Sequence, residues 1–120
     1  MIFKGITKSF SLKNEDQYNT IGAFWDEMSE IYGLENLLGL GYKWHNGVID
    51  YAIGLKNGEI KGYNLTISLP DSNWVEVSGK TDNLKEIYNE IYKSCALTYE
   101  IESFTESGDC LIKYYREKTL

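Results

Sequence analysis

Aromatic side chains, which could take part in ligand binding, are unusually abundant in this sequence. Ten tyrosines, three tryptophans and four phenylalanines make up 14% of its 120 residues. Aromatic faces attract cations and stack on flat rings, so this composition favours a pocket for planar or cationic organic molecules. The alternative is that the rings serve only a core and an interface. Composition alone leaves both interpretations open.

Histidine and cysteine are too few for most metal or nucleophilic chemistry. His45 is the only histidine, and Cys95 and Cys110 show no CxxC spacing. The sequence therefore predicts no zinc site, no redox pair, no cofactor and no Ser-His-Asp triad. His45 precedes Asn46-Gly47, a pair typical of a tight hairpin turn, and we interpret it as a turn residue.

The charge balance is acidic and suits cationic or neutral ligands. Eighteen Asp and Glu residues against twelve Lys and Arg residues give a net charge of -6 and a pI near 4.8. This disfavours direct binding to the phosphate backbone of nucleic acids. Residues 1–10 lack the apolar region of a signal peptide, and no run approaches the roughly 20 apolar residues of a membrane span. We expect a cytoplasmic protein with free thiols and no membrane contact.

The elements that must position these residues begin with a strand, a helix and a hairpin. The predicted elements are a strand over 2–10, a helix over 18–32, and hairpin strands over 42–44 and 48–54. Apolar residues of the helix recur at helical spacing, and Gly33 ends it. The stretch 34–40 between helix and hairpin is apolar and ambiguous.

The second half repeats the same order of elements. The predicted elements are strands over 63–69 and 73–79, a helix over 84–92, and hairpin strands over 97–104 and 109–115. Thr81 or Asp82 is the expected cap of this second helix.

Two β-α-β-β units in one chain predict an α+β fold with a pseudo-twofold, duplicated arrangement. We expect an antiparallel sheet with two helices on one side. The other face of the sheet is then expected to form a concave cleft, which is where a small-molecule site is predicted.

Several short motifs resemble those of a known family of ligand-binding domains. They are the proline-led strand and glycine over 67–79, the helix around Trp25, the strand Asp50-Tyr51-Ala52-Ile53-Gly54, and Ile101-Glu102-Ser103-Phe104. In order and spacing they resemble GyrI-like small-molecule-binding domains, also called AraC-type effector-binding domains. The resemblance covers essentially the whole chain, as one domain over 1–120 with halves at about 1–56 and 62–120.

The resemblance implies an aromatic cleft with an acidic residue at its floor that meets ligand cations. Glu102 matches that acid, and Trp25 and Tyr51 match aromatic positions of the first half. Trp74 matches the start of the second-half strand, and Phe104 stands where the family commonly has a tyrosine. The predicted ligand-binding residues are Glu102, Trp25, Tyr51, Trp74, Phe104 and Tyr115.

Strand alternation leaves the roles of these residues open. If Ile101 points toward the helix-covered core, Glu100 and Glu102 point to the opposite face, where we expect the cleft. Glu102 can alternatively pair with Lys113 across the hairpin or lie in water. Trp25 lies within a helix stripe, which is also typical of a core residue.

Three functions are compatible with these expectations. The leading hypothesis is a stand-alone sensor or sequestering domain, linked to transcription regulation, that binds hydrophobic, planar or cationic aromatic molecules. It lacks a DNA-binding module, so regulation would need a separate protein partner. The first alternative is a hydrolase of strained-ring, DNA-alkylating natural products that uses Glu102 and a tyrosine. The second is a protein-interaction module of the DNA gyrase inhibitor type, and whether the chain is an enzyme stays open.

Overall fold

The computed structural model describes residues 1–94 and 98–115 of the chain. Its strands and helices are β1 (Ile2–Ser11), α1 (Gln17–Tyr32), β2 (Leu37–His45), β3 (Val48–Leu55), β4 (Leu65–Ser68), β5 (Trp74–Lys80), α2 (Leu84–Ser94), β6 (Glu100–Phe104) and β7 (Asp109–Tyr115). Short 3-10 turns at Lys13–Glu15, Leu34–Asn36 and Thr81–Asn83 precede α1, β2 and α2. Cys95 lies outside the described residues.

All the strands join one antiparallel sheet in the order β4-β1-β3-β2-β6-β7-β5. The predicted α+β class is confirmed. The first half contributes the strand order β1-β3-β2 and the second half β5-β7-β6, and β4 extends the edge beside β1. The two halves meet where β2 pairs with β6 over only three residue pairs, Gly39 to Gly41 with Glu102 to Glu100. An origin of the halves by duplication stays a prediction.

The hairpin between β2 and β3 forms at the predicted turn. Asn46 has φ 49° and Gly47 has φ 75°. Positive φ at both central residues is the geometry of the two-residue turn that matches strand twist, and Asn-Gly adopts it at low cost. The imidazole Nε2 of His45 lies 3.1 Å from Asp50 Oδ2, so this histidine belongs to the hairpin.

Both helices pack on the same face of the sheet. Helix α1 buries Phe24, Trp25 and Met28, and helix α2 buries Tyr88 and Ile91. Phe24 and Trp25 are adjacent and Met28 follows at helical spacing, as Ile91 does after Tyr88, which is expected of helices with one buried stripe. The predicted helices over 18–32 and 84–92 therefore agree with α1 and α2 to within two residues.

The opposite face of the sheet is filled by a second apolar cluster. Its buried members are Phe3, Leu40, Ala52, Leu69 and Ile101. Side chains from the edge strands β4 and β5 also pack against it. The concave cleft predicted on this side is not confirmed, because apolar side chains pack together on the described part of this face.

The orientation of β6 is the reverse of the one expected. Ile101 lies in the cluster away from the helices, and successive strand residues point to opposite faces. Glu100 and Glu102 therefore face the helices. Both faces of β6 are buried. The alternation of its side chains therefore could not predict whether Ile101 or the two glutamates lie under the helices.

Among the described residues, no helix is long and apolar enough to cross a membrane. The stretch 34–40, ambiguous by pattern, is a 3-10 turn followed by the start of β2. The strand β2 includes Gly39 and Gly41, and its pairing with β3 shifts register between Gly41 and Lys43.

Candidate functional site

A cavity of about 440 Å³ lies between the two helices and the sheet, on the face to which Glu100 and Glu102 point. Its apolar and aromatic walls come from α1, α2, β3 and β6. The acids Asp26, Asp82, Glu100 and Glu102 also line it. No Lys, Arg or His is among the lining residues in the part of the chain that the structure describes. The electrostatic character of the cavity is therefore anionic.

Glu102 lies at the floor of this cavity and is held by tyrosine hydroxyls. Its side chain is 4% exposed. Tyr51 Oη donates a short hydrogen bond to Glu102 Oε1, and Tyr88 Oη donates one of 2.6 Å to Oε2. Trp25 Nε1 donates in turn to Tyr51 Oη at 2.7 Å. Burial raises the pKa of Glu102, while the hydrogen bonds from Tyr51 and Tyr88 act to lower it.

Glu100 is a second buried carboxylate on the same face of β6. It is 4% exposed, and Tyr92 Oη donates to its Oε2 at 3.3 Å. Burial and repulsion from Glu102 raise the pKa of Glu100 well above its usual range. The site thus places two carboxyl groups, two residues apart, in one low-dielectric cavity.

The tyrosines around the two acids remain protonated donors. Burial and the nearby acids raise the pKa of Tyr18 to about 12, and the pKa values of Tyr51, Tyr88 and Tyr92 also rise. A raised phenol pKa keeps the hydroxyl proton in place at neutral pH. These groups can therefore donate hydrogen bonds without adding negative charge to the cavity.

Two glycines of β2 make room for this network. A Cβ at Gly39 would lie 2.7 Å from Trp25 Cζ2 and 2.8 Å from Tyr51 Cζ. A Cβ at Gly41 would lie 2.9 Å from Glu100 Cγ and Oε1. The strand β2 therefore presents a bare backbone on the helix side, and long side chains from β3 and β6 lie over it.

Four of the six predicted ligand-binding residues come together here. Glu102, Trp25, Tyr51 and Phe104 all line the cavity. The rings of Trp25 and Phe104 meet edge to face, with centroids 4.8 Å apart. Trp25 is buried in the helix stripe and also lines the cavity, so it can be both a core residue and a ligand-binding residue.

Trp74 and Tyr115 do not line the cavity. They face each other across β5 and β7 with ring centroids 5.8 Å apart, and Trp74 packs against the cluster on the other face. Trp74 Nε1 donates to Pro70 O at 2.8 Å. Their placement follows from alternation, because their neighbours Val75 and Tyr114 pack toward α2.

The alternative pairing of Glu102 with Lys113 is wrong. Lys113 Nζ lies 3.2 Å from Glu76 on β5. Lys113 is paired in register with Ile101, so both point away from the helices. The donors to Glu102 are instead the hydroxyl groups of Tyr51 and Tyr88, and the indole N–H of Trp25 also acts on this carboxylate.

Sequence reasoning missed three helix tyrosines of the site. Tyr18, Tyr88 and Tyr92 line the cavity, and the rings of the latter two stack with centroids 5.6 Å apart. The only sequence signal was their hydroxyl groups, since a buried tyrosine in a helix stripe needs a polar partner. The cap of α2 was predicted at Thr81 or Asp82. Thr81 Oγ1 is buried in the cavity wall without a hydrogen-bond partner among the described residues, so it does not cap the helix, and the cap at Asp82 stays a prediction.

The described residues contain no group of three or more His, Cys, Asp or Glu side chains that could hold a metal ion. In comparisons with known proteins, no family model, no curated protein and no solved structure matches the chain. The likeness to GyrI-like domains therefore rests on the quoted motifs and stays a prediction.

Proposed function

We propose that this chain binds planar, cationic organic molecules in the cavity between its helices, as a sensor or sequestering domain. One observation carries the proposal. Glu102 is buried at the floor of an aromatic cavity that has no basic residue in its described lining. A buried carboxylate without a cation is costly, and a cationic ligand would offset that cost.

The electrostatic contribution of Glu102 comes from its low-dielectric surroundings. An ion pair at the surface is worth little because water screens it, whereas a desolvated one is screened much less. Together with cation-π contacts to nearby rings, a charged ligand would gain about 1–3 kcal/mol from this floor.

The walls of the cavity suit a flat apolar body. Trp25, Phe104, Ile49 and Leu84 present rings and aliphatic carbons to the same space. Burying apolar ligand surface contributes about 25 cal/mol per Å², independently of charge. Neutral planar molecules should therefore bind too, but without the contribution of Glu102.

Ethidium and phenanthridinone test whether Glu102 recognises charge while the walls recognise a flat ring. Both contain a planar tricyclic ring system, and only ethidium carries a permanent positive charge. We expect ethidium to bind with a Kd of about micromolar order, measured by calorimetry and thermal shift. Glu102→Gln should weaken ethidium binding by about five- to hundredfold and leave phenanthridinone binding nearly unchanged.

Glu76→Gln is the matched control for this experiment. Glu76 is an exposed glutamate on β5 outside the cavity, and the substitution changes the net charge by the same amount. It should leave both affinities unchanged. Absence of saturable ethidium binding, or an equal loss for both compounds in Glu102→Gln, would contradict the proposal.

Hydrolysis of strained, electrophilic rings is a second candidate, favoured by the contact between Tyr51 and Glu102. In such a reaction Glu102 would take a proton from the water whose oxygen bonds to a ring carbon, while the bond from that carbon to its leaving atom breaks and Tyr51 protonates that atom. Proton transfer from Glu102 to Tyr51 would then restore both groups. In this structure, however, Tyr51 donates to Glu102 itself, so base and acid already satisfy each other. This arrangement favours binding over turnover.

Incubation with styrene oxide separates the two candidates. A hydrolase should form the diol faster than buffer does, and both Glu102→Gln and Tyr51→Phe should abolish that acceleration. A binding domain should form no diol above background. The protein-interaction module of the gyrase inhibitor type, and a separate partner that would link binding to transcription, stay predictions.

A further inference from the structure

Glu100 is a buried acid that the proposed function does not use. It lines the same cavity as Glu102 and is equally buried. Within residues 1–94 and 98–115, no Lys or Arg forms an ion pair with it, and Tyr92 supplies one long hydrogen bond. One donor at 3.3 Å leaves most of the acceptor capacity of a carboxylate unused.

The spacing of the two acids is fixed by β6. Residues two apart on one face of a strand have Cα atoms about 6.6 Å apart. Glu100 lies beside Gly41 and Glu102 beside Gly39, so each carboxyl group has a bare stretch of β2 next to it. Two carboxylates held this close in a low dielectric repel each other unless each meets a positive charge or takes up a proton.

Two further polar atoms in the wall lack partners. Gln17 Oε1 and Thr81 Oγ1 are buried, and neither has a hydrogen-bond partner among the described residues. Both residues line this cavity, Gln17 at the start of α1 and Thr81 just before α2. Buried oxygens of this kind are normally hydrogen-bonded, and a ligand with N–H or O–H donors would satisfy them.

We propose that the preferred ligand of this cavity is an aromatic dication that carries N–H donors, with one positive centre at Glu102 and the second at Glu100. This inference rests on the proposed function and deepens it from cations in general to dications. Glu100 is then the residue that determines specificity between singly and doubly charged ligands. The ligand's two positive centres are separated by a few bonds, to match the strand spacing of the acids.

Ethidium and propidium form a suitable pair of probes. They share the same diamino-phenanthridinium ring, and propidium adds a quaternary ammonium three carbons from the ring nitrogen. We expect the wild-type protein to bind propidium at least about tenfold more tightly than ethidium in calorimetric titrations at constant ionic strength. Glu100→Gln should remove this preference and change ethidium affinity by less than about threefold.

Two further variants make the result specific. Glu76→Gln removes the same charge from outside the cavity, so it controls for general attraction of a dication to an acidic protein, and it should keep the preference. Glu100→Asp retains the charge and should keep it as well, which provides a second test if Glu100→Gln fails to fold.

The possible results separate this inference from the proposed function. If ethidium binds in a Glu102-dependent way and propidium binds no better, the inference is wrong and the proposed function stands. A propidium preference that survives Glu100→Gln also overturns the inference, since the second charge then meets another group. If neither dye binds, both are wrong.

Discussion

At the residue scale, the site is defined by two buried acids surrounded by hydroxyl donors. Glu102 has two tyrosine donors and Glu100 has one distant donor. Glu102 is therefore held firmly by its donors, whereas Glu100 can still accept further hydrogen bonds. It also means that the two acids respond differently to pH and to substitution.

Ethidium affinity should rise with pH between about pH 6 and 9, where exposed carboxyl groups are already ionised. Burial raises the pKa of Glu102, which faces the single charge of ethidium, so this carboxyl group holds its proton to a higher pH than usual. A permanently charged dye favours the carboxylate and must displace such a proton. The dependence, measured by fluorescence titration, should reach at most about tenfold per pH unit for each proton released.

The tyrosines that face these acids should not contribute to this pH profile. The pKa values of Tyr18, Tyr51, Tyr88 and Tyr92 are raised above the range tested. Glu102→Gln should therefore flatten the profile. A wild-type affinity that does not change with pH would contradict the assignment of these acids to the site.

Replacing Glu100 by Gln should stabilise the folded chain at alkaline pH. Its pKa is raised above the usual value of 4.5 in the folded state. Such a group gives its full contribution to stability below the unfolded pKa and loses it as pH rises through the folded pKa. Urea unfolding followed by tryptophan fluorescence should show Glu100→Gln more stable than wild type by about 1 kcal/mol or more at about pH 9.

The pH dependence of that stability difference is its control. Near about pH 4 the side chain is protonated in both states, so the difference should largely disappear. Glu76→Gln, at an exposed site, should show no comparable trend. A stability loss in Glu100→Gln at every pH would mean that the carboxylate makes favourable contacts within the folded protein.

At the element scale, β2 is the strand that makes the site feasible. It pairs with β3 on one side and β6 on the other, and its two glycines face the helices. Side chains at these positions would occupy the space of Tyr51, Trp25 and Glu100. The pairing of β2 with β6 also joins the two halves of the sheet, so the site lies across their junction.

Gly39→Ala should damage both stability and binding. The new methyl group would lie within 3 Å of Trp25 and Tyr51, so these large side chains would have to move. Overpacking of this kind costs about 1–3 kcal/mol, measured by urea unfolding. Ethidium binding should weaken as well, because the Tyr51 hydrogen bond that holds Glu102 would be displaced.

Gly22→Ala on α1 is the contrasting variant for stability. A Cβ at Gly22 would have nothing within 4 Å outside its own helix backbone and chain neighbours. Alanine in a helix interior is favoured over glycine by about 0.5–1 kcal/mol, so this variant should be more stable than wild type. Equal effects of the two substitutions would show that β2 is not tightly packed at Gly39.

At the scale of the whole molecule, the sheet separates two packed faces with different roles. The helix side contains the cavity and its acids, whereas the other side carries an apolar cluster to which the edge strands contribute side chains. The net charge of -6 adds a general attraction for cations over the whole surface. We nevertheless expect specific ligand binding only on the helix side of the sheet.

Tryptophan fluorescence can identify the face that binds the ligand. Trp25 lines the cavity, and Trp74 packs on the other face of the sheet. Ethidium-induced quenching and ethidium affinity should therefore persist in Trp74→Phe, while Trp25→Phe should lose most of the quenching. The opposite result would place the dye on the face away from the helices.

Much of the fold could be predicted because local patterns report local structure. The stripe from Tyr18 to Tyr32 and the Asn46-Gly47 turn specified α1 and the first hairpin without any tertiary information. The position of Gly39 was harder to interpret. Two nearby glycines in an apolar stretch suggest that a strand is interrupted there. In the structure they lie within β2, where side chains of neighbouring elements occupy the space that a Cβ would fill.

The sequence by itself determined the α+β class, both helices, and an acidic, tyrosine-rich composition that suits cations. It also predicted Glu102, Trp25, Tyr51 and Phe104 as site residues, and the structure brings these four together. Only the tertiary structure decided which face of β6 lies under the helices. Alternation sorts residues into two sets, but it cannot say which set meets the helices when both faces of the sheet are buried. That choice placed Glu100, Tyr88 and Tyr92 beside Glu102 and left Trp74 and Tyr115 on the far side.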